Sequence, residues 1–451
     1  MPLESKNRVT CPGCALACDD IAVDVQFNKI QKVHNACLRG NEKFMFSGSK
    51  ERFVTPFIRD AKDKAPKEIK MDQAMLLAAK IMQDSQNVLI LGGTKLESNA
   101  QEKLVELARI VGATMSFAGA EVLNHVKDAM KDAGASFTTI GEIANNADLL
   151  LFWGANPIDF APKLVVKTVF SRGRYRQTGK EVKKFAVLDG NPTPTMERAD
   201  IKLLMHPGND TRYLGLLCME LQATGVLDEK DLERIGFTKE ELISLGPDIP
   251  PNIKELARTI ELTEYGVIFV GERLLNPAAI EREPDLLGKM FRFGSILNRD
   301  RRMSVLPLSY HLNFAGLVHA LTTSNHEVNV KDFKSIADSL EDFDAVICAG
   351  FDLVGKLDDK QLAQLKESKI VVFDYKENCT TTVADLFLPV VMIGIETGGE
   401  VYRIDGSLVS LSKCVEPREG LSTDAKLLQE LGDYIQNGGQ SSFNSPGTSI
   451  N

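Results

Sequence analysis

The chain has 451 residues, of which 43% are hydrophobic and 25% are charged, as in an ordinary globular protein long enough for two or three domains. Its formal net charge of −9 argues against a general nucleic-acid or membrane-surface binder. The N-terminal residues have no apolar signal segment, and no apolar run is long enough to span a bilayer. We therefore expect a cytoplasmic protein that binds neither nucleic acid nor membranes.

Four of the eight cysteines lie close together near the N-terminus, with the spacing C-x2-C-x3-C-x18-C: Cys11, Cys14, Cys18 and Cys37. Four thiolates at such positions can bind one soft metal centre, either a zinc ion or an iron–sulfur cluster. Zinc knuckles usually pair two short cysteine loops, whereas here three cysteines crowd together and a short β-hairpin, predicted between Cys18 and Cys37 with its turn at Phe27-Asn28-Lys29, returns the fourth. The spacing therefore favours a [4Fe–4S] cluster over zinc or four free buried thiols.

A basic residue, Arg39, follows two positions after the last of these cysteines. A cation at this place would lie beside the cluster, where it could raise the reduction potential or bridge the cluster to a neighbouring redox group. The alternative is an ordinary solvated arginine. The next segment, Arg52–Asp60, is predicted to be an extended linker held by Pro56.

From about residue 70 the pattern alternates between helices and strands. Helical apolar spacing covers residues 71–84, and a helix capped by Ser98 follows a buried strand that ends at Gly92 and Gly93. Further buried strands are predicted within Ala147–Pro157 and Lys183–Pro194. This alternation is typical of a doubly wound parallel sheet, and it makes the protein α/β.

Ligands of parallel sheets bind at the carboxyl ends of the strands. The loops at these ends contain Asn156 and Asp189, which we take as candidate cofactor-binding residues. The Gly92-Gly93 pair is not accompanied by a G-x-G-x-x-G motif, so it indicates a tight turn more than a nucleotide site. We identify no catalytic residue.

The same strand pattern occurs twice. Each copy has a strand after an aspartate (Asp148 or Asp344), a second strand ending in an aspartate, a threonine-rich turn and an Ala-Asp pair before a third strand. We therefore predict a small N-terminal iron–sulfur domain followed by two Rossmann-like halves related by a pseudo-repeat. The predicted boundaries are 1–60 for the iron–sulfur domain and linker, 61–300 and 301–435 for the two α/β domains, and 436–451 for a disordered tail.

These features resemble the molybdenum- and tungsten-pterin oxidoreductases, and most closely the B subunit of formylmethanofuran dehydrogenase. The resemblance covers almost the whole chain and rests on five segments: CPGCALACDD, GEIANNADLLLFWGANP, TPTMERAD, TTTVADLFLP and GIETGGEVYRIDG. It implies a [4Fe–4S] cluster, a pterin-held metal between two α/β halves, and a multi-subunit complex that handles formyl groups on a methanofuran-type carrier.

The sequence differs from this family at the residues that would bind the catalytic metal. The family holds its tungsten or molybdenum through a cysteine or selenocysteine followed by His-Gly, but here Ala118-Gly119 stands in that place and no cysteine lies between Cys37 and Cys218. An alanine methyl group cannot bind a metal. The glycine-, arginine- and proline-rich segment of the family is replaced by residues 321–333. We therefore expect the chain's own redox site to be lost and tungsto- or molybdopterin to be absent.

A related assembly of methylotrophic bacteria, the formyltransferase/hydrolase complex, is consistent with this loss. Its B subunit resembles a scaffold for amidohydrolase-like and formyltransferase subunits, and this scaffold role is our main interpretation. The alternative is a true tungsten- or molybdenum-pterin formylmethanofuran dehydrogenase subunit that carries out CO2/formate redox chemistry. A third hypothesis, outside the resemblance, is an electron-transfer or metal-binding module without a substrate.

Overall fold

The computed structural model describes residues 2–62, 64–134, 137–324, 327–365 and 367–437. Most of the predicted disordered tail, residues 438–451, lies outside these residues, while Gln436 ends a helix. The strands are β1 (Glu4–Val9), β2 (Ile21–Gln26), β3 (Lys29–His34), β4 (Phe57–Ile58), β5 (Lys67–Glu68), β6 (Val88–Gly92), β7 (Thr114–Ser116), β8 (Leu149–Trp153), β9 (Lys184–Asp189), β10 (Ile201–Leu204), β11 (Tyr265–Val270), β12 (Arg302–Pro307), β13 (Asn329–Val330), β14 (Ala345–Ala349), β15 (Lys369–Asp374), β16 (Leu386–Pro389), β17 (Gly399–Tyr402) and β18 (Leu408–Leu411).

The α-helices lie between these strands and after the last of them. They are α1 (Leu38–Phe46), α2 (Met71–Asp84), α3 (Ser98–Val111), α4 (Ala120–Ala133), α5 (Ile140–Asn146), α6 (Pro157–Phe160), α7 (Lys163–Thr168), α8 (Pro194–Glu197), α9 (Asp210–Ala223), α10 (Glu229–Ile235), α11 (Lys239–Ser244), α12 (Pro251–Leu262), α13 (Pro277–Arg282), α14 (Leu286–Leu297), α15 (Phe314–Thr323), α16 (Phe333–Ala337), α17 (Asp359–Gln364), α18 (Cys379–Val383) and α19 (Asp424–Gln436). Short 3-10 helices occupy Gly179–Val182, Leu340–Asp342 and Val354–Lys356. None of the helices in the described part of the chain combines the length and the apolar character that a membrane crossing requires.

The chain forms two compact units, and neither is continuous in sequence. Unit 1 comprises Met1–Ala120, His311–Arg403 and Leu408–Asn451, and unit 2 comprises Glu121–Tyr310 and Ile404–Ser407. This division differs from the contiguous domains predicted at 61–300 and 301–435. The reason is strand pairing, because β6 pairs in parallel with β14 and thereby joins early and late parts of the chain in one sheet.

Unit 1 is built on an eight-stranded sheet of order β13-β7-β6-β14-β15-β16-β4-β5. The strands from β13 to β16 are parallel, and β4 and β5 add an antiparallel edge. The predicted linker Arg52–Asp60 is therefore part of the sheet rather than a free connection. It is fixed by the buried side chain of Arg52, which forms a two-pronged ion pair with Glu396.

Unit 2 contains a five-stranded, wholly parallel sheet of order β10-β9-β8-β11-β12. Every residue of β8 and β11 is buried, as expected for central strands covered on both faces. The chain runs outward from β8 to β10 on one side and from β11 to β12 on the other. The strand order thus reverses between β8 and β11, and in unit 1 it reverses between β6 and β14, which are the places where α/β sheets open a crevice for ligands.

Aspartates at matching positions begin the central strands in both units. A carboxylate oxygen of Asp148 accepts the backbone N–H of Glu264 at 3.0 Å, next to β11, and Asp344 accepts that of Asn87 at 2.9 Å, next to β6. Each carboxylate therefore joins its own strand to the neighbouring central strand across the point where the strand order reverses.

A second pair of aspartates precedes the outer strands. Asp200, before β10, accepts the N–H of Phe185 at 2.8 Å, and Asp385, before β16, accepts the N–H of Ile370 at 2.9 Å. The predicted Ala-Asp pairs therefore satisfy backbone donors at the start of the adjacent strands, β9 and β15.

The predicted tight turn after β6 is present, since Gly92 and Gly93 have φ values of 103° and 90°. Helix α3 follows it, but its N-cap is Glu97 and not Ser98. The Glu97 carboxylate accepts the N–H groups of Asn99 and Ala100, both at 2.9 Å, and thus caps the helix one residue earlier than predicted.

The close approach of β8 and β11 gives a stability prediction. A Cβ atom on Gly271 would lie 2.3 Å from both the carbonyl oxygen of Gly154 and the Cα of Ala155, and neither backbone atom can move freely. We expect Gly271→Ala to destabilise the protein by about 3 kcal/mol and to lower its thermal unfolding temperature.

The matched control is Gly141→Ala in α5, where an added methyl group meets only the Thr139 hydroxyl at 3.9 Å. This substitution should leave stability unchanged or raise it by up to about 1 kcal/mol. Equal unfolding temperatures for the two variants would contradict the crowding at Gly271.

Candidate functional site

The first three cysteines lie in a tight loop of unit 1. The backbone N–H of Cys11 donates to the carbonyl of Cys18 at 2.8 Å, and that of Ala17 donates to the carbonyl of Cys14 at 3.0 Å. The predicted hairpin follows as β2 and β3, with Phe27 and Asn28 at its turn in left-handed conformations. It leads the chain back to Cys37, the N-cap residue of α1.

Small residues allow the sulfur atoms to approach one another. A Cβ on Gly40, in the first turn of α1, would lie 2.9 Å from the Sγ of Cys11 and 3.8 Å from the Sγ of Cys37. A Cβ on Gly13 would lie 3.3 Å from the Sγ of Cys11. Both glycines therefore leave space at the cysteine that is central to the group, and Cys11 and Cys37 lie on the same side of α1.

The electrostatics of the loop make free thiolates unfavourable. Burial raises the pKa of Cys11 to about 12, and the neighbouring Cys14 and Cys37 raise it further by repulsion. Burial likewise raises the pKa of the Cys14 thiol, while Arg39 opposes the shift. A bound cationic centre would reverse this cost, because metal binding stabilises the deprotonated form of each ligand.

Within the described ranges, no three His, Cys, Asp or Glu side chains are placed to hold a metal ion together. A geometry of that kind is required by a single bound ion. In an iron–sulfur cluster each thiolate binds a different iron atom, so the ligands lie further apart than around one zinc ion.

The C-terminal GIETGG segment holds the cysteine loop in place. Pro12 packs against Gly394, where a Cβ would lie 3.0 Å from the proline ring, and Arg403 donates to the carbonyl of Ala17 and to Asp19, both at 3.1 Å. The side chain of Ala17 also belongs to a buried apolar cluster with Leu312, Ile393, Val401 and Leu411. The loop is thus part of the unit 1 core.

The predicted cationic neighbour, Arg39, is exposed and acts on two groups of unit 1. Its charge lowers the pKa of Cys14. It also contributes, after burial and two lysines, to lowering the pKa of His311 to about 4. The charge of Arg39 therefore acts both on the cysteine loop and on the loop that contains His311.

Sequence reasoning gave no role to Lys43, which the structure places at the centre of a buried polar group. Its ammonium donates to the Tyr375 hydroxyl at 2.5 Å. Burial lowers the pKa of Lys43 to about 8, although Asp374 and Cys11 oppose this shift, and burial raises the pKa of Tyr375 to about 12. The available signal was the position of Lys43 six residues after the last cysteine, which places it in the last turn of α1.

Asp374, at the carboxyl end of β15, extends this group. Burial raises its pKa, while the charges of Lys95 and Lys43 lower it. Lys95 follows the Gly92-Gly93 turn, so two lysines from different elements act on one buried carboxylate at the carboxyl edge of the unit 1 sheet. The resulting cluster is positioned by β15, by α1 and by the loop after β6.

A cavity of about 630 Å³ lies at the N-termini of α3 and α19. Its lining includes Glu97, Glu400 and Asp424, and is therefore acidic. Burial raises the pKa of Asp424 to about 7, and repulsion by Asp374 adds to the shift. Asp424 therefore connects the cavity electrostatically with the buried group around Lys43.

Asn156 and Asp189, the two predicted cofactor-binding residues, lie at the carboxyl edge of the unit 2 sheet. Asn156 donates its backbone N–H to Glu272 at 3.1 Å and accepts the hydroxyl of Thr195 at 2.6 Å. Asp189 accepts the N–H of Gly190 at 2.6 Å. Both side chains are buried, and both therefore already have internal partners.

Arg273, which no sequence motif indicates, interacts with one of these residues and with a further aspartate. Its guanidinium donates two hydrogen bonds to Asp210, at 2.8 and 2.6 Å, and its Nε lies 3.2 Å from Asp189 without hydrogen-bonding geometry. Burial raises the pKa of Asp189, and Arg273 opposes the shift. The Asp210 carboxylate also accepts the indole N–H of Trp153 at 2.7 Å, which completes a buried Trp–Asp–Arg arrangement.

The loop that contains Ala118 follows β7 in unit 1 and packs on an aromatic side chain. Phe117 is fully buried and makes an edge-on contact with Phe314, with ring centroids 6.0 Å apart. A Cβ on Gly119 would lie 2.7 Å from the same ring. The space beside Ala118 is thus bounded by Phe314, the first residue of α15.

The segment 321–333, predicted to replace a family pocket element, lies next to this loop. It contributes β13, which pairs with β7, and the N–H of Lys331 donates to the carbonyl of Met115 at 3.0 Å. The strand before the Ala118 loop is therefore paired with a strand of the segment 321–333.

Comparison with known proteins agrees with the predicted resemblance. The chain is 26% identical over 439 residues to the B subunit of tungsten-containing formylmethanofuran dehydrogenase 2 of Methanocaldococcus jannaschii, covering 94% of this chain and 97% of that protein. It is also 26% identical over 443 residues to the protein of the same description from Methanococcus maripaludis, covering 95% and 98%. No protein-family model matches the chain. The similarity to the B subunit of formylmethanofuran dehydrogenase is thereby confirmed.

Two solved structures share the fold. One is a chain of the formyltransferase/hydrolase complex of Methylorubrum extorquens in complex with methylofuran, with a TM-score of 0.60 and 17% identity, covering 86% of this chain and 100% of that chain. The other is acetylene hydratase from Pelobacter acetylenicus, with a TM-score of 0.69 and 16% identity, covering 97% and 70%. These likenesses support the α/β class with parallel sheets.

The raised pKa of Asp424 gives a testable pH dependence. The folded protein retains a proton on Asp424 up to about pH 7, whereas the unfolded chain releases it near the ordinary value of 3.8. The stability that depends on this proton is full below the unfolded value and is lost as the pH rises through about 7. Asp424→Asn should remove this dependence, which is worth at most about 4 kcal/mol.

Thermal unfolding measured between about pH 5 and about pH 8 checks the expectation. The unfolding temperature of the parent protein should fall more over this interval than that of Asp424→Asn. Glu430→Gln, on the same helix, is the control and should retain the parental slope. If Asp424→Asn retained it as well, the assignment to Asp424 would be wrong.

Proposed function

We propose that this protein is the B subunit of a formylmethanofuran dehydrogenase-like complex and acts as the non-redox scaffold of a formyltransferase/hydrolase assembly in one-carbon metabolism. Its partners are then amidohydrolase-like and formyltransferase subunits that handle a formyl group on a methanofuran-type carrier. The near-complete coverage of the curated relatives supports the subunit assignment. A cytoplasmic location remains the prediction from the sequence.

The observation that carries the scaffold role is the environment of Ala118. Its methyl group can donate no electron pair to a metal. The adjacent Phe117 and Gly119 pack on Phe314, so the loop is held by apolar contacts. A cysteine at position 118 would need space in a loop whose neighbouring residues are already packed. This argues against an otherwise intact metal site that lacks only its protein ligand.

The unit 2 residues support the same conclusion. Asn156 and Asp189 are candidates for holding a nucleotide-like part of a cofactor, but each is already bonded within the protein. Arg273 neutralises both Asp189 and Asp210. A ligand that needed these carboxylates would have to displace an internal guanidinium with two hydrogen bonds, which is costly in a buried site.

We further propose that a [4Fe–4S] cluster is bound by Cys11, Cys14, Cys18 and Cys37. The tight loop, the space left by Gly13 and Gly40, and the raised pKa of Cys11 support it, since thiolates are soft donors that a bound metal centre stabilises. Such a cluster supplies one-electron redox chemistry when bound, but in a scaffold its contribution is folding energy. Arg39 and Lys43 would hold positive charge beside the thiolates.

The two sets of strands also support the proposed pseudo-repeat. Besides the paired aspartates, the Thr195 hydroxyl donates to Asn156 after β8, and the Thr380 hydroxyl donates to Asp352 at 2.8 Å after β14. The same kind of contact thus joins the second and first strands of each set. We interpret the set β8–β10 and the set β14–β16 as copies of one ancestral unit.

The redox subunit remains the second candidate function. It is favoured by the four cysteines and by the tungsten-containing relatives. In that case sulfur ligands of the pterin, or an unusual ligand, would have to serve in place of the side chain missing at Ala118. The metal content of the complex distinguishes the two functions.

Analysis of iron and sulfide tests the cluster. An anaerobic preparation should contain iron and acid-labile sulfide in about equal amounts, roughly four of each per chain. Cys14→Ser should lose both and become less stable, whereas Cys379→Ser, which changes an exposed cysteine outside the loop, should lose neither. Stoichiometric zinc without sulfide would overturn the cluster assignment.

The purified complex tests the scaffold function. We expect the chain to co-purify with at least one catalytic subunit, with no tungsten, molybdenum or extractable pterin above trace. Ala118→Cys should not produce dehydrogenase activity, because the pocket differs at more than one place. One tungsten or molybdenum atom per chain would establish the redox function, and a stable active monomer would refute the scaffold role.

A further inference from the structure

An exposed loop in unit 2 combines apolar and basic side chains. From the last turn of α7 to the start of β9, four large apolar residues are 44–66% exposed: Val166, Phe170, Tyr175 and Val182. Arg172, Arg174 and Lys184 are exposed in the same stretch, and Glu181 is its single acidic residue. We call residues 166–184 the basic loop.

The backbone of the basic loop is fixed from beneath by a buried lysine. The Lys183 ammonium donates to the carbonyls of Thr168 at 2.7 Å, of Ser171 at 3.1 Å and of Ala144 at 3.1 Å. These contacts join the start and the end of the loop to the last turn of α5.

Arg176 fixes the middle of the loop. It donates to the carbonyl of Asn146 at 3.0 Å and forms ion pairs with Asp148 at 3.0 Å and with Glu264 at 2.8 Å. There is no room for a side chain on Gly173, because its Cβ would lie 2.2 Å from the Ala144 carbonyl oxygen. The loop is therefore ordered by many contacts.

An ordered loop with exposed apolar groups differs from a simple solvated surface. A solvated loop needs no buried lysine beneath it, and it gains nothing from exposing Phe170 and Tyr175 to water. The guanidinium of Arg174 lies 5.8 Å from the ring centroid of Tyr175, so an aromatic and a cation are presented together. Tyrosine and arginine are the residue types that contribute most to binding at protein interfaces.

The charge of the basic loop selects the class of partner. The chain as a whole has a net charge of −9, so a basic surface of this kind is a local exception. A symmetric contact between two copies would place Arg172 and Arg174 of one copy against the same residues of the other, and like charges would repel. A partner with acidic side chains around an apolar centre would satisfy both features.

We propose that the basic loop is the docking surface for an acidic face of another protein subunit of the same complex. This inference rests on the proposed function, because it requires that the chain is a subunit. It adds which surface of the chain is used and what chemistry the partner presents.

The test is made on the assembled complex, purified through a tag on this chain and analysed by native mass spectrometry. Arg174→Glu combined with Tyr175→Ser should reduce the retained amount of one partner protein at least about tenfold. The single variant Arg172→Glu guards against misfolding, and it should shift dissociation of the same partner to lower salt concentration. Zero-length cross-linking should join Lys184 to an aspartate or glutamate of that partner.

The matched control lies on α12, where Leu262 is 81% exposed and Arg258 is also exposed. There the neighbouring Glu255 and Glu261 balance the charge, so Arg258→Glu with Leu262→Ser should leave assembly unchanged. If the parent complex forms and the loop variants assemble normally, the docking inference is wrong while the proposed function stands. If the parent chain forms no complex, the proposed function itself fails. A dimer of this chain joined through the loop would also overturn the inference.

Discussion

The pairing of β6 with β14 is the contact on which the arrangement of the chain depends. It aligns Val88 with Ala345 and continues to Gly92 opposite Ala349, joining segments more than 250 residues apart, as the Asn87–Asp344 contact shows. At its carboxyl end the strands are too close for a side chain, because a Cβ on Gly92 would lie 2.3 Å from the Ala349 carbonyl oxygen. The sheet of unit 1 can close only after unit 2 has been synthesised, so the fold has a long-range contact at its centre.

Buried charge is the second constraint on unit 1. Arg52 and Glu396 form a fully buried ion pair, and Lys43, Asp374 and Asp424 lie together beneath the surface. Such groups are expensive to bury and are strongly destabilising when one partner is removed. Because Lys43 interacts electrostatically with Cys11, a change of charge on a centre bound by the cysteines would act on the protonation of these groups. In that case the same groups would link the stability of unit 1 both to pH and to the occupation of the cysteines.

Helices and strands were predicted well where the sequence signal lies within the element itself. The helix at 71–84 and the hairpin before Cys37 follow from apolar periodicity and turn residues, and the Asp-led strands follow from their repeated motif. The domain boundaries could not be predicted in this way, because the pairing of β6 with β14 leaves no mark in either segment alone. Strand β11 was missed although its sequence, YGVIFV, is an uninterrupted apolar run, which is the usual signal of a central parallel strand.

The same distinction between local and long-range signals applies to the residues of the candidate site. The four-cysteine motif is visible in the sequence, and its spacing predicts a metal centre without reference to the fold. Arg273 and Asp210 could not, because they are 63 positions apart and meet only through the sheet. Asn156 and Asp189 were selected correctly as residues at strand ends, but the sequence could not reveal that each has an internal partner.

The cysteines and the Ala118 loop together explain how a subunit could lose redox chemistry and still need its N-terminal segment. The loop from Cys11 to Cys18 is buried against Leu312, Ile393 and Val401, so its removal would expose part of the unit 1 core. The raised pKa of Cys11 shows that burial disfavours the thiolate there, so the deprotonated form would need a bound centre to stabilise it. A cluster converts the same four groups into covalent anchors and contributes folding energy whether or not electrons pass through it. The four cysteines would therefore be compatible with a scaffold, since a ligand missing at Ala118 would affect chemistry alone, while a cluster on the cysteines would also serve the fold.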